Sequence, residues 1–378
     1  MHSRSTRGAR RALLGSALSV VTACVGSDLP TLTSSCDADP TQARCQTPPA
    51  APTLRELAAV RFRYVGTALD AAFFGASATQ YDTLVAHEFN MVVAGNVMKW
   101  GSIHRDGRFD YRWTNPDAIV AFAQANGMKI RGHTLAWHQQ NPAWLTSGTW
   151  SRDTLEALLK EHIDSVVGHY RGKIHAWDVV NEAINDGSGT LRTAGSPWAP
   201  TLGRDYIDIA FTRARAADPA ALLFYNDYGL ESPGVKQDAA FELVSGMKAR
   251  GVPIDGIGFQ AHFQVKQDGS DVPSQQTLVN TLTRFAALGL KVELTELDIR
   301  VRTPGATAAE LAAQAQGYAD VVSACLAVPA CDAIVVWGVN DGESWVNTAF
   351  PGYGQALLFD DGFGKKATYD AVKRALGG

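Results

Sequence analysis

Eight short runs rich in aliphatic and β-branched residues recur along the chain, at residues 63–70, 89–96, 128–137, 173–182, 221–228, 256–263, 290–298 and 332–339. Each is short enough for a buried strand. Between several of them the apolar positions shift to helical spacing. Residues 114–127 close on Gly127, residues 152–170 have Asp153 or Thr154 as a cap, and residues 238–251 also close on glycine. Strands alternating with helices predict parallel βαβ units. Eight such units in one domain predict a (β/α)8 TIM barrel. The open doubly wound sheet is disfavoured, because no G-x-G-x-x-G or P-loop follows the first strand.

The polar residues strengthen the barrel reading. Asn96, His133, Asn181 with Glu182, Asn226 with Asp227, His262, Glu296 with Asp298, and Trp337 all fall at the C-terminal ends of predicted strands. A barrel assembles its active site at that rim.

The same polarity pattern divides the chain. Residues 1–24 predict an export signal: Arg4, Arg7, Arg10 and Arg11 precede the apolar run 12–21, and small residues lead to Cys24. Cys24 could carry lipid, giving an outer-surface, lipid-anchored bacterial protein, or the signal could be cleaved to give a secreted one. Residues 25–53 read as a Pro/Ser/Thr-rich linker, and residues 54–378 as one catalytic domain. Of five cysteines, Cys325 and Cys331 bracket a short loop that a disulfide could close, as could Cys36 and Cys45; free buried thiols are the alternative. The net charge of −4 excludes a nucleic-acid surface. No metal-ligand spacing appears, so neither metal nor cofactor is expected.

Glu182 and Glu296 carry the candidate chemistry. Each ends a strand, and a closed barrel can turn both toward one cleft. Two carboxylates about 5 Å apart across a sugar are the apparatus of retaining glycoside hydrolysis. Glu182 follows an aliphatic strand, so desolvation should keep its proton for a leaving oxygen. Asp298 could hold the imidazole of His262, which could donate to Glu296 and keep that carboxylate ionised as a nucleophile.

The stretches "GHTLAWH" (132–138), "WDVVNEA" (177–183), "YNDY" (225–228), "GFQAHF" (258–263), "TELDIR" (295–300) and "VWGVNDGESW" (336–345) resemble, in order, motifs of the glycoside hydrolase family 10 xylanases. The resemblance implies a retaining endo-1,4-beta-xylanase acting on xylan or xylo-oligosaccharide, with Glu182 as acid/base and Glu296 as nucleophile. It also implies sugar contacts from Asn96, Lys99, His133, Asn181, Tyr228, Gln260, His262, Trp337 and Trp345. In this reading Gln260 serves sugar or Glu296, Trp137 supports His133 from beneath, and His138 and Asp298 stand behind the site. A monomer is expected. The alternatives are a beta-glucanase or cellulase on the same barrel, and a non-catalytic carbohydrate-binding surface lipoprotein.

One departure stands out. The family pattern has glutamate where this chain has Gly95, which removes an acceptor for a sugar hydroxyl on the non-reducing side. Weaker grip there, or room for a decorated xylose, follows. The G95E variant should bind a short xylo-oligosaccharide more tightly by calorimetry; unchanged affinity would dismiss the missing contact.

Overall fold

All eight predicted runs form strands, and the strands close on themselves. The structure, a computed structural model, describes residues 51–378 apart from 62, 77 and 267–271. The export signal, Cys24, the Cys36–Cys45 pair and nearly all of the linker lie outside the described residues. The first helix among the described residues is Leu54–Val60, capped by Thr53 and Glu56 in a reciprocal capping box.

The barrel strands are β1 (Tyr64–Leu69), β2 (Met91–Ala94), β3 (Lys129–Ala136), β4 (Ala176–Asn181), β5 (Leu222–Asp227), β6 (Gly256–Phe259), β8 (Lys291–Arg302) and β9 (Cys331–Val336). Each pairs in parallel with the next, and β9 pairs with β1 to complete the circle. Two short strands are additions: β7 (His262–Gln264) runs beside the far half of β8, and β10 (Tyr353–Gly354) pairs antiparallel to its end. The predicted strand 256–263 is therefore two pieces. Gln260 and Ala261 interrupt it, and Ala261 has a φ of 61°.

Helices follow where the 3.6-residue period predicts them, with corrected ends. The helix Arg152–His169 is capped by Ser151, whose hydroxyl accepts from the Thr154 N–H, and not by Asp153 or Thr154. The helix predicted from 238 begins at Val235. Cys325 and Cys331 are joined by a disulfide with Cα atoms 5.2 Å apart.

Strand alternation sorts side chains into an outer and an inner layer. On β2, Val92 and Ala94 face the main core beneath the helices, whereas Met91 and Val93 pack inside with Ala68, Ala333 and Val335. Trp337 continues that inner cluster toward the rim. The opposite half of the interior is ionic. Arg131, fully buried, donates to both oxygens of Asp178 and to Glu293. Burial pushes the Glu293 carboxyl up, with Arg131 opposing and Asp332 reinforcing the shift. Small residues make room in both layers: inside, a Cβ on Gly258 would lie 2.2 Å from Asn226 Oδ1, and outside, one on Gly132 would lie 2.2 Å from the Trp177 ring of the main core.

Replacing Arg131 with methionine strands the Asp178 charge inside the barrel. Chemical denaturation at pH 7 should show a loss of about 3–5 kcal/mol; a loss below about 1 kcal/mol would mean that the pair is not what stabilises the interior.

Candidate active site

The inner faces of the strands deliver their polar ends to one cavity of about 730 Å³ at the C-terminal rim. Both predicted glutamates line it, as do Asn96, Lys99, His133, Trp137, Asn181, Tyr228, Gln260, His262, Trp337 and Trp345. Asp298 and His138 stand just behind this lining.

Glu182 follows directly on β4 in a left-handed conformation, φ 56°. Non-glycine residues adopt it rarely, at a cost of about 1–3 kcal/mol, and mostly at functional sites. Three contacts hold the backbone there. The Glu182 N–H donates to Asn226 O at 2.9 Å, the Ala183 N–H donates to Tyr225 Oη at 3.1 Å, and Arg192 Nε donates to Glu182 O at 3.0 Å. The carboxylate accepts from Trp137 Nε1 at 2.9 Å, Gln260 Nε2 at 3.0 Å and Asn181 Nδ2 at 3.2 Å. His138 Nδ1 lies 3.8 Å from Glu182 Oε2. Burial, then the charges of Arg192 and Lys236, push the His138 imidazole down to about 4, so it is neutral at neutral pH.

Two expectations change here. Gln260 serves Glu182 and not Glu296. Trp137 donates directly to Glu182; its ring sits 6.4 Å from that of His133, in a tilted arrangement.

Glu296 has different partners. It accepts from Asn226 Nδ2 at 2.7 Å and from His262 Nε2 at 3.1 Å. His262 Nδ1 donates to Asp298 Oδ2 at 2.8 Å. Burial disfavours the imidazolium of His262, but Asp298 and then Glu296 outweigh it and raise the group to about 10. Burial likewise disfavours the Glu296 carboxylate. The His262 hydrogen bond, with the electrostatic contributions of His133 and His262, reverses this and holds Glu296 below the ordinary carboxylate range. Asn226 also donates to Asn181 Oδ1 at 2.8 Å. A chain of amides, Asn226 and Asn181, thus links the two carboxylates across the floor of the cleft.

The walls follow from the same elements. Asp178 accepts from His133 Nδ1 at 2.9 Å, so the interior ion pair orients a cleft residue. Lys99 donates to Asn96 Oδ1 at 2.8 Å and lies 5.0 Å from the Trp137 ring centroid. Burial lowers its affinity for a proton, opposed by Glu296, Asp70 and Glu182. Trp345 is pinned by its indole N–H, which donates to Asp298 at 2.7 Å, and the residue remains 38% exposed. Trp337 meets the His133 ring edge-on at 5.3 Å. Tyr228 donates to Asp186 and accepts from Arg192, and Lys236 Nζ covers one ring face at 3.3 Å, leaving a single face for a ligand. A Cβ on Gly95 would sit 3.0 Å from Leu69 O, so glutamate there must also displace the β1 carbonyl by a few tenths of an ångström.

Sequence reasoning named Asn226 only as a strand-end polar residue and gave it no role. Arg131, Asp178, Arg192 and Glu231 it passed over. A charged residue in the middle of a barrel strand, as Arg131 is, was the available signal, because such a charge must be paired. Among the described residues no cluster of three or more His, Cys, Asp or Glu could hold a metal ion.

A family model described as glycosyl hydrolase family 10 matches residues 53–375. The chain is 42% identical over 314 residues to endo-1,4-beta-xylanase 5 of Pyricularia oryzae, covering 83% of this chain and 75% of that protein. It is 40% identical over 299 residues to endo-1,4-beta-xylanase B of Thermotoga neapolitana, covering 79% and 84%. Native xylanase 10B from Thermotoga maritima superposes with a TM-score of 0.82 at 40% identity, over 86% of this chain and 98% of that one. Xylanase 10B from Thermotoga petrophila RKU-1, solved in complex with xylobiose, gives 0.82 at 39% identity, over 86% and 97%.

In H262N the Glu296 carboxylate loses a charge-assisted donor of about 1.5–3 kcal/mol. Its affinity for a proton rises, so the acidic limb of kcat/KM should move to higher pH. A limb left in place would show that His262 does not hold Glu296 ionised. The wild-type imidazolium contributes stability fully below its ordinary value of 6.5, and that contribution is lost as pH rises through about 10.

Proposed function

Since the chain belongs to glycosyl hydrolase family 10, we propose that it is an endo-1,4-beta-xylanase whose Glu182 and Glu296 cleave internal bonds of xylan by double displacement. The observation that carries this reading is the placing of two carboxylates, from β4 and β8, on one cleft with separate sets of donors. That the Thermotoga petrophila enzyme was solved in complex with xylobiose supports a xylo-oligosaccharide as the ligand of this chain.

In the first step Glu296 attacks the anomeric carbon while Glu182 gives a proton to the departing glycosidic oxygen. His262 keeps the nucleophile charged, and its link to Asp298 keeps the ring aligned. In this reading Asn181 meets the 2-hydroxyl, a contact that strengthens as the oxocarbenium-like transition state forms. In the second step Glu182 takes a proton from water, and the hydroxide carbon–oxygen bond replaces the ester to Glu296. Two inversions at one carbon give net retention.

Trp337 and Trp345 offer aromatic surface to the apolar faces of the sugar. Asn96, Lys99 and His133 offer polar groups on the side of the sugar retained in the covalent intermediate. A polymeric substrate and the arginine-led apolar leader both support export, with or without lipid on Cys24. Among the described residues no helix is long and apolar enough to cross a membrane.

Reducing-sugar release from xylan should exceed that from cellulose in the wild type and fall about 10⁴-fold or more in E296A, as loss of a covalent nucleophile requires. Proton NMR should show the β-anomer first. Cellulose as the preferred polymer, or an α-anomer first, would overturn the substrate or the mechanism respectively.

A further inference from the structure

Gln260 and His262 are separated by a single residue, yet each serves a different catalytic carboxylate. Gln260 Nε2 donates to Glu182 and His262 Nε2 donates to Glu296. The residue between them, Ala261, is fully buried and left-handed. That conformation breaks the chain between β6 and β7, sending Gln260 to one side of the cleft and His262 to the other. Alanine has no intrinsic preference for it, so the surroundings must impose it.

The backbone on either side is fixed by strand contacts. The Gln260 N–H donates to Asp227 O, Glu296 N–H donates to Gln260 O, and Asp298 N–H donates to Ala261 O. The Ala261 N–H faces away from the strands. It donates to Glu231 Oε1 at 2.7 Å. Glu231 is 4% exposed and lines the cleft from the loop after β5. Its position is itself fixed. Its carbonyl accepts from Thr281 Oγ1 at 3.2 Å, and Thr281 and Leu230 O both accept from Gln237. The loop is thereby tied to the helices Val235–Ala249 and Gln275–Ala286. Burial pushes the Glu231 carboxyl up; the N–H groups of Ala261 and Glu231, and the charges of His262 and Lys236, oppose it.

We propose that Glu231 is a positioning residue for the hydrolysis: by gripping the Ala261 N–H it sets the turn that brings Gln260 to Glu182 and His262 to Glu296 together. This rests on the roles given above to those two glutamates. The carboxylate touches neither of them, and it acts on both through one peptide group. A shift of about 1 Å in a positioned group can cost about a hundredfold in rate. Because the turn feeds both carboxylates, disturbing it reaches both limbs of the pH profile at once, which a purely structural carboxylate would not.

The test compares E231A, E231Q, E231D and E296A on xylan and on an aryl xylobioside, with kcat, KM, full pH profiles and melting temperature. In E231A, kcat should fall about ten- to a hundredfold with KM within about threefold, and both limbs of kcat/KM should move. E231Q keeps an oxygen acceptor for Ala261 and should recover to within about fivefold. E231D keeps the charge but withdraws the acceptor by one methylene, so it should show shifted limbs even where E231A fails to fold. If E231A or E231D gives a pH profile superimposable on the wild type while E296A is inactive, the inference is overturned and the assignment of the nucleophile survives. If E296A retains activity, the nucleophile assignment fails whatever Glu231 does. E231Q as damaged as E231A would also overturn the inference, because the hydrogen bond would then not be the working contact.

Discussion

A guanidinium with no access to water sits inside this barrel. Arg131 can occupy that position only because Asp178 takes both of its forks and Glu293 takes a third N–H. Its planar face also lies 4.5 Å from the centre of the Phe224 ring. The pair gives the interior a direction. Asp178 spends its remaining acceptor capacity on His133, so the charge buried in the middle of the strands fixes a side chain at the rim. An interior filled with leucine and valine would pack as well, but it could not transmit orientation from the barrel to the cleft.

Above that floor, the two glutamates are made different by their neighbours. Glu182 takes hydrogen bonds from an indole and two amides, all neutral. Glu296 takes one from an amide and one from an imidazolium, which is itself backed by Asp298. An amide can donate without committing its partner to a permanent charge, and this suits a group that must give up and regain a proton. An imidazolium favours the anion outright, and this suits a nucleophile. The chemistry divides by donor type rather than by distance from solvent, since both carboxyl groups are buried to a similar degree.

The flanks of the cleft differ in the same physical terms. Around Tyr228, two cations and two carboxylates interlock: Lys236 bridges Asp186 and Asp227, and Arg192 reaches Tyr228 and two carbonyls. Burial pushes Asp227 up to about 7 against the pull of Lys236. In this network Asp186 pairs with both Lys236 and Arg192. On the opposite flank Gly95 has no side chain, and Asn96 spans from Asp70 to Lys99.

The sequence by itself determined the fold and singled out the two glutamates that line the cleft. Eight aliphatic runs with polar ends admit few arrangements, because strand period and helix period are local properties that each residue reports directly. Glu296 and Asp298 were legible for the same reason, because residues two apart on one strand have their direction set by the pleat; Glu182 was legible as a carboxylate closing an aliphatic run, although its direction is set by its left-handed backbone. Tertiary structure alone decided who touches whom across strands. Gln260, read as serving sugar or Glu296, donates to Glu182 because left-handed Ala261 interrupts the strand there, and an alanine gives no sign that it will turn left-handed. Trp137 was set beneath His133 because the register of β3 against β4 shifts between His133 and Ala136, and a shift in register is a property of two strands, not one. Arg131, Asn226 and Glu231 lie 47, 70 and 30 residues from their partners Asp178, Glu296 and Ala261. Hydrogen bonds of that kind exist only once the barrel has closed, and nothing local in the chain encodes them.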